Sequence, residues 1–181
     1  MFEFGDTPLE GLKTVRPTLR PDERGWFLKL FHAPSFRDAG LVADFQEQYC
    51  SSSRRGVLRG MHFQTPPHGH AKLVYCLEGR VLDVALDLRE ASSTYGKSFG
   101  VELDGARRDG VYLPRGFAHG FLTLSETALL SYHVETAYAP EYDAGIRWDG
   151  FGFAWPAGDP SLSPRDGSFP RLAEFHTPFR S

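Results

Sequence analysis

A chain of 181 residues carrying 20 Lys and Arg against 23 Asp and Glu, net charge −3, has no basic excess with which to grip nucleic acid. It holds no run of about 18 apolar residues, so no membrane-crossing helix is expected, and Met1–Asp6 lacks the basic and apolar regions of a signal peptide. Its two cysteines, Cys50 and Cys76, form no Cys-x-x-Cys pair, so reduced thiols and a cytoplasmic location are the expectation.

One domain spanning 1–181 is expected, long enough to bury a sizeable core. Nineteen glycines and 13 prolines cut the chain into short β-rich runs, the spacing of a sandwich or barrel. Residues 1–20 read as irregular to strand-like. Asp22-Glu23-Arg24-Gly25 predicts a turn, followed by a strand over Trp26–Phe31. Pro34–Gly40 suits a short helix that ends with Gly40 in the left-handed conformation. Residues 44–50 resemble a strand, and 51–56, with Ser51-Ser52-Ser53, a flexible link. A strand over Gly56–Gln64, a Pro66-Pro67 turn and a strand over Ala71–Cys76 come next. Leu82, Val84, Leu86 and Leu88 then alternate with Asp83, Ala85 and Asp87, the clearest period of two in the chain. Further strands are predicted around 98–103, 111–113, 117–124 and 127–136. The Pro-, Gly- and aromatic-rich remainder from Tyr138 should wrap the barrel in short helical turns.

Arg59 and His62 interrupt the apolar run Gly56–Gln64, and Lys72 opens the next strand. Desolvating such groups costs several kcal/mol, so a core strand normally avoids them. Two neighbouring strands that both carry cations point to a pocket for an anionic or carbonyl ligand. Arg59 and His62 have opposite parity and would face opposite sides of a regular strand. They share a pocket only if the strand is bulged, and Gly60 between them makes a bulge easy. His119, Tyr132, Asp83 and Asp166 complete the candidates. Singly, each has a structural explanation: a packed tyrosine, a lysine snorkelling to a rim, or, for Asp166, a turn made by bonding its own backbone. Their number on core strands favours a site. His68-Gly69-His70 looks like the start of a metal motif, but the positions four and five after His70 are Val74 and Tyr75, not a glutamate, so no metal is expected. No serine sits in a Gly-x-Ser-x-Gly elbow, and no Gly-rich phosphate loop is present.

Read together, these motifs are familiar. Asp22-Glu23-Arg24-Gly25, Gly56–Gln64, Ala71-Lys72-Leu73-Val74, Asp83-Val84, Asp87-Leu88-Arg89, Pro114–Phe121, Tyr132, Tyr138, Gly145–Asp149, Trp155-Pro156 and Leu162–Asp166 follow in order along nearly the whole chain. In these stretches the chain resembles the dTDP-4-dehydrorhamnose 3,5-epimerase family. The resemblance implies an all-β, cupin-type jelly-roll barrel with short peripheral helices, a homodimer with exchanged N-terminal strands, and neither metal nor cofactor. It matches His62 to the base, Asp166 to the carboxylate that orients it and Tyr132 to the acid on the opposite face. Arg24, Arg59, Lys72, His119 and Tyr138 match positions near the substrate, a nucleotide-diphosphate sugar. Protons beside the carbonyl of a 4-keto-6-deoxyhexose are acidified by it, so a near-neutral base suffices to remove one.

The chain departs from the family's pattern at several positions. Glu47-Gln48-Tyr49 replaces Gln-x-Asn, placing Glu47 and Tyr49 among the substrate-binding candidates, and Lys29, His70, Asp143 and Gly150-Phe151 also differ. Catalysis is expected to be kept, with epimerisation at C3, C5 or both. The alternatives are a CDP- or GDP-linked sugar, a keto-isomerase, and a non-catalytic sugar-nucleotide binding module.

Overall fold

Short β-forming runs make strand the dominant element of this chain, and the computed structural model, which describes residues 1–180, assembles the strands into two facing antiparallel sheets and a separate hairpin. In chain order these are β1 (Phe2–Asp6), β2 (Lys13–Pro17), β3 (Arg20–Asp22), β4 (Gly25–Phe27), helix α1 (Ala33–Asp38), β5 (Glu47–Arg54), β6 (Leu58–Gln64) and β7 (Lys72–Glu78). Then follow β8 (Arg80–Asp87), β9 (Ser98–Asp104), β10 (Gly110–Leu113), β11 (Phe117–Thr123), β12 (Thr127–Val134), β13 (Asp143–Gly145) and helix α2 (Pro164–Ser168), with single 3-10 turns at Pro140–Tyr142 and Leu172–Glu174. One sheet runs β1-β2-β10-β7-β12-β5 and the other β13-β6-β11-β8-β9, while β3 and β4 form a separate hairpin. This is the jelly roll with short peripheral helices that the sequence led us to expect.

Three apolar layers hold it together. Val74, Cys76, Ala85, Phe117, Phe121 and Leu130 fill the space between the sheets. On β8 the alternation falls as read: Ala85 faces this interior, whereas Val84, Leu86 and, just beyond the strand, Leu88 lie under Phe151, Phe153, Trp155 and Leu172 of the C-terminal wrap. The outer face of the six-stranded sheet is sealed by Phe31, Phe36 and Phe45 over Leu73, Tyr75 and Tyr112. Because β7 is covered on both faces, it reads as the unbroken apolar run Leu73-Val74-Tyr75-Cys76.

Three expectations need correction. The strand foreseen over Trp26–Phe31 ends at Phe27, since the hairpin has only three residue pairs and the chain then turns to carry Phe31 against Phe36. Ser51-Ser52-Ser53 is no link: β5 continues to Arg54, and these serines pair with Leu130, Leu129 and Ala128 of β12. A backbone ladder is indifferent to side-chain polarity, so a Ser-rich segment beside a good template strand is extended regardless. The short β13 escaped notice because only three residues of it pair with β6. The predicted helix is present as α1, and Gly40 beyond it has φ +72°.

Candidate active site

A cleft of about 360 Å³ opens between the two sheets, and eight of the eleven candidate residues line it: Glu47, Tyr49, Arg59, His62, Lys72, His119, Tyr132 and Tyr138. Asp166 sits directly behind His62. Arg24 does not join them; it lies exposed at the tip of the β3–β4 hairpin, paired with Asp22 at 2.7 Å.

The bulge expected in β6 is what brings Arg59 and His62 to the same cavity. His119 of β11 pairs with His62 and Phe121 with Arg59, so three steps along β6 match two along β11. Gly60 adopts φ +144°, and a Cβ there would lie 2.5 Å from the Gly120 Cα, so only glycine fits. Beyond the bulge, Arg59 Nε donates to Ser53 Oγ at 2.9 Å and a terminal N–H to the Ser52 carbonyl at 3.3 Å. The serines misread as a link therefore hold a cation of the cleft.

His62 Nε2 lies 2.8 Å from Asp166 Oδ1 across 104 residues of sequence. Asp166 is the third residue of α2, whose start is capped by Ser163 Oγ accepting the Asp166 N–H at 3.1 Å. That bond leaves the Asp166 carboxylate itself free to face β6, where its other oxygen accepts the Gly60 N–H at 3.1 Å. Burial alone would raise this carboxyl, but the bonds from His62 and Gly60 outweigh it and bring it down to about 2. Burial, to which the Phe169 ring set edge-on at 5.7 Å contributes, lowers the His62 imidazole below its usual value despite the opposing pull of Asp166. An ionised Asp166 accepts the Nε2–H, and so the lone pair of His62 resides on Nδ1.

Asp83, the remaining candidate, meets His119 Nε2 at 2.8 Å. On β8 it stands opposite Phe121, so His119, two residues earlier on the same face of β11, is its diagonal neighbour. Lys72 does not snorkel to a rim. It is buried, its Nζ donates to the His62 carbonyl at 3.1 Å, and burial lowers its pKa to about 8. From the six-stranded sheet, Tyr132 places its hydroxyl 3.2 Å from Ser51 Oγ, and burial pushes the phenol far above its ordinary range. Tyr132 and His62 thus approach the cleft from different sheets.

Nine lining residues were not singled out as contacts by the sequence, and the polar ones are Ser51, Gln64, His70, Thr136, Asp143 and Arg165. Asp143 pairs with Arg165 and accepts from the Tyr138 hydroxyl at 3.3 Å, while Glu47 accepts the Tyr138 N–H at 2.8 Å. Parity along β5 (Glu47, Tyr49, Ser51) would have found Ser51 had the strand been extended far enough. The two histidines of the apparent metal motif go separate ways. His68 stacks near Tyr142, with ring centres 4.5 Å apart, and His70 Nδ1 contacts Gln64 Nε2 and Thr136 Oγ1 at 3.1 and 3.0 Å.

This architecture and this arrangement of residues have known counterparts. The family model for dTDP-4-dehydrorhamnose 3,5-epimerase matches residues 6–174. A dTDP-4-dehydrorhamnose 3,5-epimerase of Methanothermobacter thermautotrophicus is 42% identical over 179 residues, 96% of either chain. A dTDP-4-dehydrorhamnose 3-epimerase of Streptomyces niveus is 41% identical over 169 residues, 92% of this chain and 82% of that one. The solved structure of dTDP-6-deoxy-D-glucose-3,5-epimerase from Legionella pneumophila, in complex with dTDP-4-keto-L-rhamnose, superposes with a TM-score of 0.92 at 34% identity, over 97% of this chain and 95% of that one. The chain belongs to the dTDP-4-dehydrorhamnose 3,5-epimerase family.

Proposed function

We propose that this protein epimerises C3, C5 or both in a dTDP-linked 4-keto-6-deoxyhexose of the dTDP-4-dehydro-6-deoxyglucose type, in deoxysugar or surface-polysaccharide biosynthesis in the cytoplasm. The observation that carries this reading is the pairing of an oriented imidazole on one sheet with a phenol on the other, across a single cleft. His62 Nδ1 removes the proton beside the carbonyl, and Asp166, already ionised, stabilises the imidazolium that forms. The C–H electron pair moves into the ring as an enolate, whose oxygen is stabilised by the Lys72 ammonium, with His119 alongside. Tyr132 donates its proton to the opposite face of the same carbon, which inverts the centre. Its strongly raised pKa keeps the hydroxyl protonated and able to donate. Acidity comes from the substrate's own carbonyl, so these steps call on no cofactor.

Arg59 and Arg165 supply charge for the diphosphate, and Glu47 and Tyr138 at the mouth contact the rest of the nucleotide sugar. The protein acts as a homodimer, in which the β3–β4 hairpin crosses to the neighbouring subunit and delivers Arg24 to its cleft. Trp26 and Phe27, 55% and 59% exposed on that hairpin, support this part of the reading, because two adjacent uncovered aromatics favour a covering surface.

The test is to incubate the protein with dTDP-4-dehydro-6-deoxyglucose in D2O and follow the ring protons by NMR. Deuterium at C3, C5 or both, with inversion at that carbon, is the expected result. Binding without exchange at either carbon would reduce the protein to a sugar-nucleotide binding module.

A further inference from the structure

Tyr49 and Tyr132 stand directly opposite one another in the β5–β12 ladder, with ring centres 4.7 Å apart and planes only 14° from parallel. Ser51, two residues along β5 and so on the same face, has its Oγ 3.2 Å from the Tyr132 hydroxyl. The His119 ring closes a further side, 6.2 Å away and inclined at 70°. Tyr132 is buried within this frame, whereas Tyr49 forms its outer member at the cleft mouth and keeps 41% of its surface exposed. β5 is an edge strand whose described ladder partner is β12 alone, so the Tyr49 ring is the part of the frame that the sheet itself constrains least.

A phenol that must hand a proton to one face of one carbon has to be held in both ring plane and hydroxyl position. Stacking fixes the plane, and the Ser51 contact fixes the end of the ring. We infer that Tyr49 is a positioning residue for the reprotonation step: its ring confines the Tyr132 phenol to the orientation from which it reaches the carbon that His62 deprotonates. The inference rests on Tyr132 being the proton donor. It assigns Tyr49 an action through Tyr132 rather than through the substrate. Proton donors work only within hydrogen-bond reach, and a misplacement of about 1 Å costs up to roughly 100-fold.

The experiment measures two rates on the full chain with dTDP-4-dehydro-6-deoxyglucose in D2O: deuterium incorporation, which His62 performs on one face, and formation of inverted product, which needs Tyr132. In Tyr49→Asn, which removes the ring, kcat for inversion should fall by roughly 10- to 100-fold. Its KM and its exchange rate should stay at the wild-type level, the latter showing in the same sample that the site is folded. Tyr49→Leu, which keeps apolar bulk without a ring, should behave alike, and Tyr49→Phe, which keeps the stack, should invert at the wild-type rate. Unchanged inversion in Tyr49→Asn, a rise in KM in place of the fall in kcat, a parallel loss of exchange, or a loss in Tyr49→Phe as large as in Tyr49→Asn would each overturn the inference. Tyr132→Phe separates this from the reading beneath it. If that variant still inverts normally, Tyr132 is not the donor and the reading fails. If it loses inversion while Tyr49→Asn retains it, only the positioning role falls.

Discussion

The molecule contains two histidine–carboxylate pairs of equal length, 2.8 Å, built in different ways. His119 and Asp83 sit on adjacent central strands of one sheet, with side chains only 4% and 2% exposed, and the sheet register alone brings them together. His62 draws its carboxylate from α2 in the C-terminal wrap, and its own side chain remains 26% exposed to the cleft. The first pair is part of the sheet's internal wiring, and to open it would leave a charge or a donor stranded in the core. The second is a pair placed on the sheet from outside, where one ring nitrogen is held and the other is left free to exchange protons. On the proposed reading the second pair carries the proton transfer, whereas the first chiefly fixes His119 in the cleft wall, and what separates them is how far the histidine side chain is open to the cleft.

The largest effect should come from breaking the buried pair. His119→Ala takes away the hydrogen-bond partner of the buried Asp83, a loss of about 3–5 kcal/mol for a buried pair cut on one side. At this chain length that corresponds to a Tm lower by roughly 10 °C, measurable by calorimetry. A Tm shift of a degree or less would mean that water reaches Asp83 and that the contrast in burial is overstated.

His62→Ala should reverse that pattern. Activity falls by about 10²-fold or more, the scale of losing a general base, while Tm falls less than in His119→Ala, because Asp166 keeps the Gly60 N–H as a partner and the imidazole borders the cleft. An unfolded variant would show that His62, too, is chiefly a structural residue.

A smaller effect concerns pH and sharpens the role of Asp166. His62 has a lowered pKa, so its base form persists below pH 6.5 and kcat/KM should decline only as pH falls through that lowered value. Asp166 pulls the imidazole pKa upward, against burial. Asp166→Asn should therefore reduce activity less than His62→Ala does and move the acid limb to still lower pH. A limb that moved upward would show that Asp166 does not stabilise the imidazolium. The stability carried by Asp166 has the sign of a depressed carboxyl: it is fully present above pH 3.8 and lost as pH falls toward about 2. An acid titration of Tm in wild type and in Asp166→Asn would show the two curves converging in that window.

The pairs also differ in how far they could be read beforehand. Alternation over Leu82–Leu88 set Asp83 on one face with Ala85 and Asp87 without any structure, yet period two names a face and not a partner, and His119 lies 36 residues further on. Asp166 on its own looked like a turn residue, and only the ordered motifs of the family placed it beside His62. Arg59 and His62 could be assigned to one cavity from parity and Gly60 alone, because glycine is the residue a bulge tolerates at positive φ.

Local chemistry, then, fixed what the chain decides over a few residues: the all-β character, the bulge at Gly60, the helix stopped near Gly40, and five of the groups facing the cleft, Arg59, His62, Lys72, His119 and Tyr132. Tertiary structure decided what depends on a distant template. β12 drew Ser51, Ser52 and Ser53 into β5, so that they came to contact Tyr132 and Arg59. The C-terminal wrap seated α2 behind β6, which gave His62 its carboxylate and Arg165 its place in the cleft. Neither outcome leaves a periodic mark in sequence, because ladder hydrogen bonds use backbone atoms common to all residues and a contact across 104 residues is chosen by the burial of the whole layer.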